Sequence, residues 1–476
     1  MSSKQRIQQT QQKTLFISIS APLIMRNMLI LPGSVLEQLK KLDLKIVLLV
    51  PESAYEKMHE DFAHNGVVVE PIEVLWRTKR LSKKIYRFFV SYLIFEEGAR
   101  LFAWHGIRLD KPVAGGKRGK FLYPLKSIIA STFGKIKWIK RKFTPWLDNV
   151  IHPNRSYKKL FEKYNPDLVF LPDVMSIQDV KVLREAKRQG VKTLGMPGSW
   201  DHLPKRFEPL HTDRLMVWSE QFKREAVDLQ EYKEEDVSIV GVPQYDIFAE
   251  SKYILPREKF LTQFGLDPSR KFVSFFSGTR YTPDDGDIAD MLVNFLQKKQ
   301  LTHSTQLFIR PYPATESDHA KFDVFNDTKD VYIDWIEPEK VFPHKGNRWI
   351  PTINSLVHLM NIMYHSDVII NTYSSVSVEA GTFLKPIINI NFDGYKQRPF
   401  QQSIKRFKHL SHYKPVVEYG GVLVVNNKDE FLETLNTFLQ NPDANKKGVT
   451  NLRDKMCWKI DGKASERITK CIIEEL

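Results

Sequence analysis

Short apolar runs recur along this chain, separated by stretches whose apolar positions fall at helical spacing. Residues 14–20, 45–50 and 67–72 are such runs, with a helical pattern over 34–41 between the first two and a loop over 21–33. The alternation returns at 167–173, 191–196, 214–219 and 237–241, with a helix predicted over 179–189 and closed by Gly190. It continues at 271–277, 306–309, 368–370, 387–390 and 421–425, with helices over 375–383 and 428–440. Continuous apolar runs mark strands covered on both faces, and strands alternating with helices build parallel sheets. The pattern predicts an α/β protein with two parallel-sheet units.

One segment breaks the rhythm. Residues 77–149 are basic, aromatic and poor in strand signals. Arg77, Lys79, Arg80, Lys83, Lys84 and Arg87 precede Phe88, Phe89, Tyr92 and Phe95, and a second basic and aromatic cluster runs over 134–146. Between them, 114–120 reads as a flexible basic loop. Such interleaving suits a helix lying on an anionic membrane face, and equally a solvated basic helix packed on its domain by its aromatics. RNA-binding signatures are missing, so nucleic acid is not an expected partner.

Composition narrows the picture. The 476 residues suffice for two domains, and Lys+Arg of 71 against Asp+Glu of 56 gives +15, suited to an anionic partner. Cys457 and Cys471 have no metal-ligand spacing, so neither a disulfide framework nor a metal site is expected, and a reducing cytosol is the expected home. No signal peptide or membrane-spanning run is visible.

The chemistry centres on residues 367–386, DVIINTYSSVSVEAGTFLKP, read as strand, hydroxyl-rich loop, helix and next strand. A helix start at the carboxyl edge of a parallel sheet favours an anion, and Ser374 and Ser375 add hydroxyls there. Glu379 lies one turn further on the same face, placed to accept hydrogen bonds from a ribose diol. From spacing alone, a phosphate cradle and a plain helix cap are equally open. The stretch resembles the second-domain signature of GT-B glycosyltransferases, and is most similar to the bacterial CDP-glycerol glycerophosphotransferase and polysialyltransferase group, where paired serines hold the donor phosphate.

Other segments extend the resemblance. The run 190–203, GVKTLGMPGSWDHL, resembles a first-domain loop of surface-polysaccharide glycosyltransferases, with His202 in place of the second Asn of a Ser-Trp-Asp-Asn run. Gly241-Val242-Pro243-Gln244-Tyr245-Asp246 resembles a Gly-x-Pro-x-x-Asp segment near the interdomain crossing, and 461–467 resembles the start of a C-terminal helix that crosses back to the first domain. Arg310-Pro311-Tyr312-Pro313 stands where the family commonly carries Arg-Pro-His-Pro, so the histidine that contacts donor phosphate is Tyr312 here and donor specificity does not carry over. Gly278 lets backbone approach a ligand and Arg280 is placed to reach a diphosphate. Asp284, Asp285 and Asp287 read as a solvated acidic first turn rather than a metal site, and 391–394 as a loop beside the donor's glycosyl group.

The expectation is therefore a GT-B fold: a frayed 1–13, an acceptor-binding Rossmann-like domain over 14–250 carrying the insertion, a donor-binding domain over 251–460, and a helix over 461–476. The implied function is transfer of a glycosyl or related group from a nucleotide-activated donor to a hydroxyl of a glycan or lipid-linked acceptor, in surface glycan synthesis at the inner face of the membrane. No cofactor or metal is implied. Donor contacts fall to Ser374, Ser375, Glu379, Gly278, Arg280, Arg310 and Tyr312. For the base, Asp201 stands first, beside Trp200 as a desolvating wall that raises a carboxylate's pKa, with His202 second and Asp173 third. The alternatives are a UDP-N-acetylglucosamine 2-epimerase, against which Ser-Ser-Val counts where that enzyme commonly carries Ser-Gly-Gly, and a non-catalytic nucleotide-sugar-binding protein.

Overall fold

In the computed structural model the described residues are 12–73, 80–106, 114–278, 282–312, 320–335 and 352–476, without the side chains of 114–119. Arg77, Lys79, Arg280 and Pro313 therefore lie outside them.

Two wholly parallel sheets carry the fold. The first takes β1 (Lys13–Ser18), β2 (Leu44–Pro51), β3 (Val67–Ile72), β4 (Leu168–Leu171), β5 (Lys192–Gly195), β6 (Arg214–Val217) and β7 (Val237–Ile239) in the order β3-β2-β1-β4-β5-β6-β7. The second takes β8 (Lys271–Phe276), β9 (Thr305–Arg310), β10 (Val331–Ile333), β11 (Val368–Asn371), β12 (Ile387–Ile390) and β13 (Leu423–Val425) in the order β10-β9-β8-β11-β12-β13. Both reverse direction once, between β1 and β4 and between β8 and β11. At such a switch the loops diverge and leave a crevice at the carboxyl ends of the strands. The central strands are apolar on both faces: Val47, Leu48, Val368, Ile369 and Ile370 are fully buried. Each such side chain contributes roughly 1.5–3 kcal/mol of transfer free energy.

The departures from sequence expectation have local causes. The expected loop after β1 coils into a turn of helix, Pro22–Met25, and a π-turn, Arg26–Ile30; Pro22 occupies the first helical turn, where its missing N–H does no harm. β10 has no separate sequence signal because only three residues form it, at the sheet edge. The expected loop over 114–120 is instead the beginning of helix Ala114–Ser131.

The insertion is helical, with Leu81–Ser91, Glu97–His105, Ala114–Ser131 and Thr144–Ile151 between β3 and β4. It has its own small core of Tyr86, Val90, Leu93, Ile94 and Ile129, sealed by Phe207. It also reaches the second sheet's side of the molecule, where Gly98 N–H donates to Ser411 Oγ at 3.0 Å and Glu97 pairs with His409 at 3.1 Å.

A second tie runs the other way. Helix Ala464–Glu475 packs on helix Val35–Leu39, and Glu475 pairs with Arg214 and Lys192 of the first sheet, both at 2.9 Å. Its first-turn N–H groups have no partner within the helix. Asp246, from the Gly-x-Pro-x-x-Asp segment, accepts from Ala464 N and Ser465 N, each at 2.8 Å. Asp246→Ala should destabilise the protein by about 2 kcal/mol and speed proteolysis within 461–476. Denaturant unfolding and limited proteolysis check this; unchanged values for both would dismiss the cap as a tie.

Candidate active site

The serine loop sits at the switch point of the second sheet. Beneath it is a closed polar network. Asn371 Oδ1 accepts from Ser374 N at 3.2 Å, Ser377 Oγ at 3.1 Å and Asn389 Nδ2 at 3.1 Å. Tyr413 OH meets Ser377 Oγ at 2.7 Å and donates to Asn389 Oδ1 at 2.5 Å. All four side chains are fully buried, so each depends on the others for its hydrogen bonds. Above them Tyr373 takes a left-handed conformation, φ 48°, uncommon for a bulky residue and held by its OH donating to Asn391 Oδ1 at 2.7 Å. The network turns the loop and starts helix Val376–Gly381.

The paired serines differ. Ser374 Oγ accepts from Val376 N at 3.3 Å, a local cap. Ser375, half-buried at the N-cap, makes no side-chain cap bond. Glu379 follows one turn on. Burial pushes its carboxyl up, while the charges of Arg26 and Arg310 pull it back. Arg26 comes from the first domain, on the π-turn after β1; it is buried and donates to Asn27 Oδ1 at 2.9 Å and Gln244 Oε1 at 3.1 Å. Burial lowers its pKa to about 10, against the pull of Glu379. Sequence reasoning missed Arg26; its one signal is a lone cation inside the apolar stretch 22–31.

Other expected donor contacts have protein partners. Arg310 is buried in an ion pair with Asp334, whose carboxylate also meets His358 Nε2 at 3.1 Å. Gly278 N–H donates to Asp285 Oδ2 at 2.6 Å, and a Cβ at Gly278 would stand 2.4 Å from Thr282 Oγ1, so Thr282 occupies the space the missing side chain leaves. Tyr312 is 43% exposed, and its N–H donates to Ser277 Oγ at 2.9 Å. The acidic turn is not solvated as expected. Asp284 and Asp285 are buried: Asp284 is clasped by Arg398 and Lys396 at 2.8 and 2.9 Å, and Asp285 accepts from Thr282 Oγ1 at 2.6 Å and Thr372 Oγ1 at 3.3 Å. Burial raises Asp285 to about 6 despite those bonds. Asp285 thus ties the loop after β8 to the loop after β11. In the loop over 391–394, Asn391 and Asp393 are buried, and the loop borders a cavity of about 360 Å³.

In the first domain the three candidate acid–base groups come together after β4 and β5. His202 Nδ1 lies 3.3 Å from Asp173 Oδ1, and neither atom has a hydrogen-bond partner among the described residues. Gly198 makes this approach possible, since a Cβ there would fall 2.5 Å from the Asp173 carboxyl carbon. The loop folds as turns, so His202 swings toward Asp173 rather than pointing elsewhere. Asp201 accepts from Ser199 Oγ at 2.7 Å and pairs with Lys205. Burial acts to raise Asp201, but the charges of Lys205, His202 and His412 outweigh it and hold the carboxyl well below its usual range. The upward shift expected of Asp201 beside Trp200 is therefore reversed. Trp200 instead packs edge-on against His412 at 5.1 Å and Tyr413 at 6.1 Å, and Tyr413 packs on Tyr373 at 5.1 Å. A line of rings therefore joins the His202 loop to the serine loop.

Two Rossmann-like sheets with their switch-point loops joined across a cleft define the GT-B fold. Residues 188–474 match the CDP-glycerol:poly(glycerophosphate) glycerophosphotransferase family, and the chain belongs to that family. It is an enzyme, a GT-B glycosyltransferase of glycan biosynthesis that takes its group from a nucleotide-activated donor. A lipid-A-disaccharide synthase of Geobacter metallireducens is 25% identical over 67% of this chain and 78% of its own length. The fold is similar to that of UDP-GlcNAc 2-epimerase from Neisseria meningitidis bound to UDP-GlcNAc, with TM-score 0.53 and 11% identity over 97% of this chain and all of that one. It is likewise similar to S. aureus MnaA in complex with UDP, with TM-score 0.51 and 12% identity over 98% of both chains.

The ring contact at Trp200 carries a pH dependence. Burial lowers His412 from 6.5 to about 4, with Asp201 opposing, and burial lowers His211 to about 4 as well. Both favour the folded state only while neutral. Their contribution is complete above pH 6.5 and declines as pH falls toward 4, because the unfolded chain takes up the protons first. Each is worth up to roughly 3 kcal/mol, less what solvent screening removes from a half-buried ring. Urea titrations across this window should show stability falling with acid, and His412→Gln should shallow the slope by about one proton. An unaltered slope in the variant would exclude His412 as a source.

Proposed function

We propose that the donor nucleotide lies across the switch point of the second sheet, and the acceptor hydroxyl across that of the first. The observation that carries this reading is the ring line from Trp200 through Tyr413 to Tyr373, which sets the His202 loop against the serine loop. Ser375 Oγ, which makes no side-chain cap bond, and Ser374 take the donor phosphate, and Glu379 accepts from the ribose diol. Gly278 and Tyr312 stand in the neighbouring loops after β8 and β9 and Arg310 is the last residue of β9, while Arg280 lies outside the described residues. Arg310 acts there through its charge on Glu379, since Asp334 holds its guanidinium. In this reading protein donors rather than a metal ion stabilise the leaving phosphate. The UDP and UDP-sugar complexes of the structural neighbours support a nucleotide in this fold.

His202 is the base of this reading, with Asp173 as its positioning carboxylate. An imidazole whose Nδ1–H faces a carboxylate keeps Nε2 as the acceptor for a hydroxyl proton. Such contacts are often long without substrate and tighten with it. Asp201, kept ionised by Lys205, is a weaker base and holds the loop. The epimerase alternative rests on fold likeness, whereas the transferase reading has the family match over residues 188–474.

The donor site is tested by calorimetry with CDP-glycerol and a panel of nucleoside diphosphates. Ser375→Ala and Glu379→Ala should each weaken binding roughly 10- to 150-fold, the equivalent of about 1.5–3 kcal/mol. His202→Gln should lower turnover by about 10²–10⁴ at unchanged donor affinity, and Asp173→Asn should lower it and shift the acid limb of the pH–rate profile. Full turnover in His202→Gln would return the role to Asp201.

The insertion is the proposed membrane contact, on the cytoplasmic face. No helix among the described residues is long and apolar enough to cross a membrane. Leu81, Ile85, Phe121, Trp138 and Trp146 are each at least 59% exposed, among exposed Lys135, Lys137 and Lys142. Lys140, expected in this patch, is buried beside Glu231 and takes no part. Each engaged cation contributes about 1 kcal/mol, lost as salt rises. Sedimentation with acidic vesicles should show salt-sensitive binding that Phe121→Ser/Trp138→Ser weakens; equal binding to neutral vesicles would reject it.

A further inference from the structure

A cavity of about 450 Å³ opens in the first domain, apart from the serine loop. Its walls are helix Leu81–Ser91, helix Thr144–Ile151, one face of helix Ile177–Gln189 and the turn around Phe207. Arg80, Lys83 and Arg87 line one side; Lys181, Arg184 and Arg188, along one stripe of the facing helix, line the other, with Arg206 at the turn. Against these seven cations stand three carboxylates, Asp148, Glu185 and Glu208. Each carboxylate is already engaged: Asp148 by Arg184 at 2.6 and 3.1 Å, Glu185 by Arg155 at 2.6 Å, and Glu208 by Arg206 at 2.5 Å.

Lys83 and Arg87 make no ion pair or side-chain hydrogen bond among the described residues. Burial lowers the Lys83 ammonium, and the charges of Arg80 and Arg184 lower it further. A wall of like charges with its carboxylates consumed is an arrangement that packing does not reward and an anion does. Tyr86, Val90, Met175 and Phe207 add apolar wall, so the cavity suits an anion carried on a larger organic body. The cavity also shares a turn with the proposed acceptor site: Met175 and Ser176 line it, and Ser176 N–H donates to Asp173 O at 2.8 Å.

We propose that this cavity binds a phosphate-bearing group of the acceptor and so positions the acceptor hydroxyl toward the Asp173–His202 pair. The assignment to the acceptor rests on the reading of the first domain given above; the anion site itself does not. Arg184, fixed by Asp148, lies on one wall, and Lys83 and Arg87, one helical turn apart, lie on the other.

The test uses the full chain and inorganic pyrophosphate as probe. Calorimetry should show pyrophosphate binding that Lys83→Gln/Arg87→Gln weakens at least tenfold and Ser375→Ala leaves in place, with the melting temperature of the double variant unchanged or raised because like charges are removed. Absence of binding at millimolar pyrophosphate, or equal affinity in the double variant, overturns the site. A membrane phospholipid headgroup is the other source of the same chemistry. Acidic-vesicle binding should be equal in the wild type and the double variant, and its loss in the double variant would overturn the acceptor assignment. Donor affinity in Ser375→Ala is blind to this cavity, so failure of the donor reading and failure of this one are separately visible.

Discussion

The buried polar network of Asn371, Ser377, Asn389 and Tyr413 is the constraint on which the second domain's chemistry depends. A parallel strand ending in a buried amide leaves lone pairs and N–H groups that water cannot reach. They are satisfied here only if the chain after β11 turns sharply, puts Ser374 N–H over Asn371 and brings Ser377 back beneath it. That single requirement fixes the left-handed Tyr373 and leaves Ser375 free of local capping. An unsatisfied buried group costs about 1–3 kcal/mol, so a slip in any one of the four is felt by the other three.

Tyr413 also explains how two sheets become one site. It belongs to the network through its hydroxyl and to the interdomain contact through its ring, which meets Trp200 and Tyr373. The position of the His202 loop is therefore tied to the same hydrogen bonds that shape the serine loop. The insertion contact at Gly98–Ser411 and the Asp246 cap on the C-terminal helix fasten the domains at separate points. Arg26 and Glu379 form no ion pair, but each feels the other's charge across the cleft, and burial strengthens that attraction over what it would be at a surface.

Charge in this protein is placed where burial opposes it. Asp285 holds two loops together with its pKa pushed to about 6, Arg26 is lowered to about 10, and Lys83 is lowered by burial and by its cationic neighbours. Groups held against their preference in this way gather at sites that meet ligands, and here they border the two switch-point crevices and the cationic cavity. Arg310 shows the other outcome. A residue that the sequence leaves open between a phosphate partner and an ion pair is buried against Asp334 and His358, and acts on the cleft only through its field.

By itself the sequence determined the strands, because doubly covered strands must be apolar throughout, and it determined the serine loop, because hydroxyls between an apolar run and a helical pattern admit few conformations. Through the order of its motifs it also indicated the family. It did not determine what faced what. The pairing of His202 with Asp173 spans 29 residues and needs the turn at Gly198, which no local pattern announces. Arg26 lies in an apolar stretch and becomes a site residue only because the first sheet's switch point is set against the second's. The lowering of Asp201 reversed its expected direction because Lys205, four residues on, folds back onto it while its Trp200 neighbour packs on the other domain. The cationic cavity joins an insertion helix to a helix nearly a hundred residues later. Sequence periodicity records which face of an element is buried; which charges then share a cavity is a property of the assembled sheets and of the field they jointly make.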